Sequence, residues 1–132
     1  MILGIGTDIL DLQRFRDKFS KYPGFCKKIF TPEENKKAQE FQCNRQSAFY
    51  AKRFAAKEAI FKALGIGPGK FLSWKDFSIL SHESGKPYVA LSHRGDIFCK
   101  KKFHVPHFVF HISLSDEKTY VQAFCILEGF IK

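Results

Sequence analysis

Ser47-Ala48-Phe49-Tyr50-Ala51-Lys52-Arg53-Phe54-Ala55-Ala56-Lys57-Glu58-Ala59-Ile60-Phe61-Lys62-Ala63-Leu64 is the stretch on which the fold turns. It is rich in Ala, Lys and Glu, which are good helix formers. It stops at Gly65-Ile66-Gly67-Pro68-Gly69, a run that neither helix nor strand crosses. A long helix over 47–64 follows. At about 100° per residue, Ala48, Ala51, Ala55 and Ala59 share one side, flanked by Phe54 and Phe61. Glu58 and Lys62 fall inside that apolar side, whereas Arg53 and Lys57 fall on the opposite side, expected to face solvent. A charge on a packed side needs a partner or a metal. The plainest arrangement is a half-buried Glu58–Lys62 pair that stabilises the helix.

Outward from this helix, strands and shorter helices alternate without a strict βαβ rhythm. Met1–Leu10 reads as a short strand ending near Asp8. Leu12, Phe15 and Phe19 have helical spacing, closed by Tyr22-Pro23-Gly24. Thr31-Pro32-Glu33-Glu34 opens a further helix, running to about Phe41, with Thr31 as cap and two acids at the positive end of the dipole. Phe77–Leu80 and Tyr88–Leu91 form a hairpin around Ser84-Gly85-Lys86-Pro87. Phe108–Leu114 and Tyr120–Leu127 form a second, broken at Ser115-Asp116-Glu117-Lys118. Ile97–Lys102 fits either type. This mixture predicts an α+β fold, and 132 residues suffice for one domain, 1–132.

Composition narrows the function. Hydrophobic residues make up 45%, with 16 Phe, too many for a disordered chain. No apolar run reaches a membrane span, and Met1–Asp8 does not resemble a secretory signal; a cytoplasmic protein with no membrane partner is expected. Lys and Arg exceed Asp and Glu by 22 to 13, a formal charge of +9. That surplus either attracts a polyanion or only maintains solubility. A nucleic-acid module rests on the charge and the Phe content alone. Against it, Lys27-Lys28, Lys36-Lys37 and Lys100-Lys101-Lys102 are dispersed, and no RNA-binding motif is present. The four cysteines lack C-x-x-C spacing and read as free, buried thiols. Asp8 follows Gly4-Ile5-Gly6-Thr7, whose glycines permit close approach of a chain or ligand. Either Asp8 or Asp11 caps the following helix, or Asp8 joins Glu58 around a hard cation such as Mg²⁺.

Two of these segments carry a family resemblance. Gly4-Ile5-Gly6-Thr7-Asp8-Ile9 resembles the opening signature of the bacterial holo-acyl-carrier-protein synthases. Arg53-Phe54-Ala55-Ala56-Lys57-Glu58-Ala59, followed by Lys62-Ala63-Leu64-Gly65, resembles their central signature. Ile29-Phe30-Thr31 with Glu34, Gly85-Lys86-Pro87, and His111-Ile112-Ser113-Leu114-Ser115 match weaker elements in the right order. The resemblance spans nearly the whole chain.

It implies a Mg²⁺-dependent 4′-phosphopantetheinyl transferase of fatty acid biosynthesis. Phosphopantetheine passes from coenzyme A to a serine of apo acyl carrier protein, releasing adenosine 3′,5′-bisphosphate. It also implies a homotrimer with active sites at subunit interfaces, and a long central helix packed on a curved, mainly antiparallel sheet. On the matching positions, Asp8 and Glu58 are the metal ligands and Lys62 contacts the phosphates and assists the leaving nucleotide. The serine must lose a proton as it attacks, and Glu58, directly or through a metal-bound water, is the expected acceptor. Arg53, Gly65, Lys86, Pro87, His111 and Ser113 line the coenzyme A site. Arg14, Lys18 and Lys21 dock the acidic carrier. A carrier-binding subunit without catalysis fits poorly, because Asp8, Glu58 and Lys62 are all intact. The chain departs from the pattern at Asp116, where relatives commonly show His. Asp116 there shapes the turn or alters a contact at a subunit edge.

Overall fold

Strand β1 (Ile2–Asp11) lies directly on the longest helix, α4 (Cys43–Leu64), in a computed structural model that describes residues 1–132. Alternation along the strand sets Gly4, Gly6 and Asp8 on the helix side. A Cβ at Gly6 would stand 1.9 Å from the Ala59 carbonyl oxygen, and one at Gly4 1.9 Å from that of Ala63. The two glycines therefore serve this strand–helix contact, with the alanines of α4 forming the matching groove. Two residues beyond Gly6 the first inward side chain of appreciable size is Asp8.

β1 pairs antiparallel with β5 (Tyr120–Phe130), which pairs antiparallel with β4 (His107–Asp116), in the order β1-β5-β4. Asp8 lies opposite Ala123, and His111 opposite Ile126. β2 (Phe77–Ser81) and β3 (Pro87–Leu91) make a separate antiparallel pair. Both expected hairpins are thus present, and the α+β class is correct. The alternating burial of β5 places Val121, Ala123, Cys125 and Leu127 against α4. The far face of the sheet leaves Ile5, Ile9, Val109, Phe124 and Phe130 exposed.

The remaining helices are α1 (Leu12–Lys21), α2 (Phe25–Ile29), α3 (Pro32–Ala38) and α5 (His93–Phe103). Asp11, not Asp8, caps α1, its carboxylate accepting the Arg14 N–H at 2.9 Å. Thr31 and Glu34 form a reciprocal capping box at α3, which ends at Ala38, short of Phe41. Ile97–Lys102, ambiguous between helix and strand, belongs to α5. Its Ser92 hydroxyl caps the Gly95 N–H at 3.0 Å, and its three lysines oppose the negative end of the dipole. Only Gly95 and Cys99 are buried on it, too narrow a stripe to register as periodicity. α2 is a single short turn, below the length at which apolar spacing is legible.

The expectation that Arg53 and Lys57 face solvent is wrong. Helix α4 is enclosed on nearly all sides, so Lys57 is fully buried and Arg53 7% exposed. The aromatic residues surround the helix as a continuous chain. Ring centroids run Phe15–Phe25 at 5.8 Å, Phe25–Phe54 at 5.7 Å, Phe54–Trp74 at 5.1 Å, Trp74–Phe61 at 5.4 Å, Phe61–Phe77 at 5.4 Å and Phe77–Phe110 at 6.0 Å. The Phe content therefore builds core rather than a stacking surface. Of the thiols, Cys99 and Cys125 are buried, and burial pushes each up to about 12. Cys43 is exposed, contrary to expectation.

Asp76 ties the 3₁₀ turn at Trp74–Asp76 to the start of α5. It accepts from the Ser73 N–H at 2.7 Å and the Ser92 hydroxyl at 2.7 Å, and it pairs with Arg94. Burial alone would raise its carboxyl. The hydrogen bonds from Arg94, Ser92 and Ser73 overcome that and hold it at about 2. A depressed carboxyl contributes stability above its unfolded value of 3.8, lost as pH falls toward 2. Asp76→Asn should therefore cost about 1–2 kcal/mol at pH 7 and almost nothing near pH 2. Chemical denaturation at both pH values measures the difference.

Candidate active site

Asp8 meets α4 where the strand has passed the glycine contact. Lys62 Nζ donates to the Thr7 carbonyl at 2.8 Å and to Asp8 Oδ1 at 3.2 Å. The expected Glu58–Lys62 pair is replaced by this Lys62–Asp8 bridge, because Lys62 reaches across to the strand. Glu58, one turn earlier, is half-buried and engages no hydrogen-bond donor. Burial, and then the neighbouring Asp8 charge, push its carboxyl above the ordinary value, while Lys62 and Lys18 oppose the shift. The structure thus brings Asp8, Glu58 and Lys62 together, which spacing alone left open, with Lys18 of α1 nearby. The Asp8 carboxylate, held by Lys62, and the Glu58 carboxylate, near enough for the Asp8 charge to raise it, offer oxygen donors of the kind a hard divalent cation takes. Gly65 closes α4 three residues after Lys62 in the left-handed conformation, φ 74°, its N–H donating to the Phe61 and Lys62 carbonyls.

A cavity of about 540 Å³ opens beside this cluster, lined by Lys18, Tyr22, Phe25, Lys28, Phe54 and Trp74. Arg14, Lys18 and Lys21 are exposed on α1. Arg16 is not free, since its Nε donates to the Ser47 hydroxyl at 2.9 Å.

The other expected residues lie elsewhere. Arg53 precedes Glu58 by five positions, about 140° around the helix and 7.5 Å along it. Its guanidinium carbon is 4.0 Å from the Phe49 ring centroid, and Nη2 donates to the Ser81 hydroxyl at 3.1 Å. Its Nε is buried without a partner. The guanidinium borders a groove of about 560 Å³ shared with Lys37, Arg45, Lys52, His82 and Asp116. Lys86 and Pro87 flank the hairpin turn of the same region, with Pro87 opposite Ser81. His111 and Ser113 are on the outer sheet face, where His111 Nε2 lies 2.9 Å from Glu128 Oε1. Arg45, Lys52 and His82 join the groove without having been expected there. Arg45, Phe49, Lys52 and Arg53 recur at helical spacing, which was the available signal; His82 had none.

A carboxylate pair with a lysine, and a separate cationic groove, suit a substrate carrying several phosphates. The chain matches the model of the 4′-phosphopantetheinyl transferase superfamily over residues 4–125. It belongs to that superfamily. Among curated superfamily members, the holo-[acyl-carrier-protein] synthase of Bartonella henselae is 38% identical over 132 residues, covering 98% of each chain. That of Geobacillus kaustophilus is 39% identical, covering 97% of this chain and 90% of the relative. Solved superfamily structures agree along the same length. The Neisseria meningitidis synthase has a TM-score of 0.87 at 33% identity, covering 97% and 99% of the two chains. The Bacillus anthracis synthase in complex with coenzyme A (3′,5′-ADP) has a TM-score of 0.82 at 34% identity, covering 98% and 99%.

Proposed function

We propose that this protein is a holo-[acyl-carrier-protein] synthase, transferring 4′-phosphopantetheine from coenzyme A to a serine hydroxyl of apo acyl carrier protein. The observation that carries the reading is the meeting of Asp8, Glu58 and Lys62 in a chain that is similar to such synthases from end to end. Asp8 and Glu58 hold Mg²⁺. When bound, Mg²⁺ neutralises charge on the pyrophosphate of coenzyme A. Lys62, already directed at Asp8, contacts the same phosphates and stabilises the negative charge that develops on the departing nucleotide. Glu58 accepts the serine proton; its desolvated carboxylate, without donors of its own, is the available base. The proton moves from the serine oxygen to the base as the phosphorus–oxygen bond to the carrier forms and the pyrophosphate phosphorus–oxygen bond breaks, releasing adenosine 3′,5′-bisphosphate.

Arg53, with Lys86 and Pro87, receives the nucleotide end of coenzyme A. The Arg53 guanidinium borders the groove and supplies positive charge for a phosphate there. Because Arg53 and Glu58 point to different sides of α4, one chain does not present both to the same molecule. A neighbouring copy supplies the second half, and the apolar outer face of the sheet, with Ile5, Ile9 and Phe124, is the surface that copy covers. This supports the homotrimer with shared sites, and His111 and Ser113 then lie at its interface.

The test is to incubate the protein with apo carrier protein, coenzyme A and Mg²⁺ and to weigh the carrier. A gain of one phosphopantetheine that disappears with EDTA is expected, and salt-sensitive oligonucleotide binding without a gain would overturn the reading.

The carrier docks on α1, whose Arg14, Lys18 and Lys21 face its acidic surface, while the neighbouring Phe25, Phe54 and Trp74 cavity receives an apolar side chain. Arg14→Glu should raise KM for the carrier about tenfold or more, with binding of coenzyme A nearly unchanged. Equal losses for both substrates would contradict this docking. On this reading the basic surplus of the chain serves two anions, coenzyme A and the carrier. The chain carries no helix long and apolar enough to cross a membrane; its proposed role is in fatty acid biosynthesis in the cytoplasm.

A further inference from the structure

We propose that Asp116 is a specificity-determining counter-charge in the Arg53 groove. It engages Lys52 while the groove holds no phosphate, and so limits how tightly nucleotides bearing a 3′-phosphate are bound. The inference rests on the transferase reading above.

Asp116 is the last residue of β4, opposite Val121, and Oδ1 lies 3.9 Å from Lys52 Nζ. Both residues line the groove with Arg45 and Arg53. The cations there are not equivalent. Lys37 is 3.0 Å from Glu40 and already paired. Arg45 lies over the Phe41 ring, its guanidinium carbon 5.6 Å from the centroid. Arg53 is buried, its Nη2 bonded to the Ser81 hydroxyl and its Nε enclosed without a partner. Lys52 is the one whose only charged partner is a groove carboxylate. A phosphate arriving at Arg53 and Lys52 must displace Asp116 from the ammonium. Once bound it stands within a Debye length, about 8 Å, of that carboxylate. Both effects oppose binding. They act on the 3′-phosphate, which coenzyme A and the product adenosine 3′,5′-bisphosphate share and dephospho-coenzyme A lacks. Asp116 thereby weakens substrate binding and product inhibition together.

Asp116 is half-exposed at a strand end, so the isosteric Asp116→Asn should fold normally. Expected at low salt is a fall of about threefold in KM for coenzyme A and in the inhibition constant of adenosine 3′,5′-bisphosphate, the scale of an exposed ion pair. KM for dephospho-coenzyme A should stay constant, the differences should shrink at high salt, and Asp116→Glu should restore wild-type constants. Unchanged or raised KM for coenzyme A, or an equal fall with dephospho-coenzyme A, overturns the proposal while leaving the transferase reading intact. Absence of carrier modification by the unaltered protein overturns both.

Discussion

Glu58→Gln should reduce phosphopantetheine transfer at least about 100-fold at saturating Mg²⁺ and coenzyme A, while leaving the fold as stable as before or slightly more so. The two effects have one cause. Burial and the facing Asp8 raise the Glu58 carboxyl above its unfolded value. A group raised in this way favours the folded state when protonated, and its ionisation above that value works against folding. At pH 7, without metal, the ionised Glu58 is thus an electrostatic cost that glutamine removes. A rise in Tm of roughly 2 °C is the scale expected. The same substitution removes a ligand and the base. Added Mg²⁺ should raise Tm of the unaltered protein by linkage and leave that of Glu58→Gln unmoved, a readout independent of turnover. Near-normal turnover in Glu58→Gln would exclude Glu58 as both ligand and base.

How far the chain was legible depends on whether its signals are local. The glycine spacing Gly4, Gly6 with Asp8 two residues on is local, and alternation alone sets all three on one side. Ala55, Ala59 and Ala63 likewise announce a helix side that a strand can approach. The Asp8–Glu58–Lys62 cluster was therefore within reach once the motifs were recognised, although the partner of Lys62 was not. Whether Lys62 bridges to Asp8 or to Glu58 depends on where β1 crosses the helix, a tertiary fact. The largest misreading came from the same source. A helical wheel divides residues between a packed and a wet side, yet α4 is packed on nearly all sides, by β1 and β5 on one side and by α2, the 3₁₀ turn and β2 on the other. Arg53 and Lys57 look like ordinary surface charges until those elements are in place. The groove cations Arg45 and Lys52 have helical spacing with Arg53, but His82 arrives from a hairpin, and no spacing in the chain links it to them.

Lys57→Met should be strongly destabilising, costing about 3–5 kcal/mol. The Lys57 side chain is completely buried, as is its partner Glu34, with Nζ 2.7 Å from Oε1. Nζ also donates to the carbonyls of Ile29 at 2.9 Å, Trp74 at 3.0 Å and Phe77 at 2.8 Å. Burial lowers the Lys57 ammonium from its ordinary value, and the Glu34 charge counters that. Glu34 in turn accepts from the Thr31 N–H and from the Ile79 N–H, both at 2.9 Å. One ammonium therefore satisfies the end of α2, the 3₁₀ turn, β2 and the cap of α3. Methionine matches its length and supplies none of these donors, so it strands three carbonyls and leaves Glu34 as an unpaired charge in an apolar interior. Adding Glu34→Gln to Lys57→Met should recover part of the loss, because the stranded charge is then gone while the carbonyls remain unmet. Urea denaturation of the two single variants and the double variant gives the coupling. If Lys57→Met alone cost less than about 1 kcal/mol, the pair would be no more than a surface-type contact, contrary to its burial. Since Arg53 and Glu58 stand within one turn of Lys57 on the same helix, the double variant should also show weaker coenzyme A binding, even where it folds.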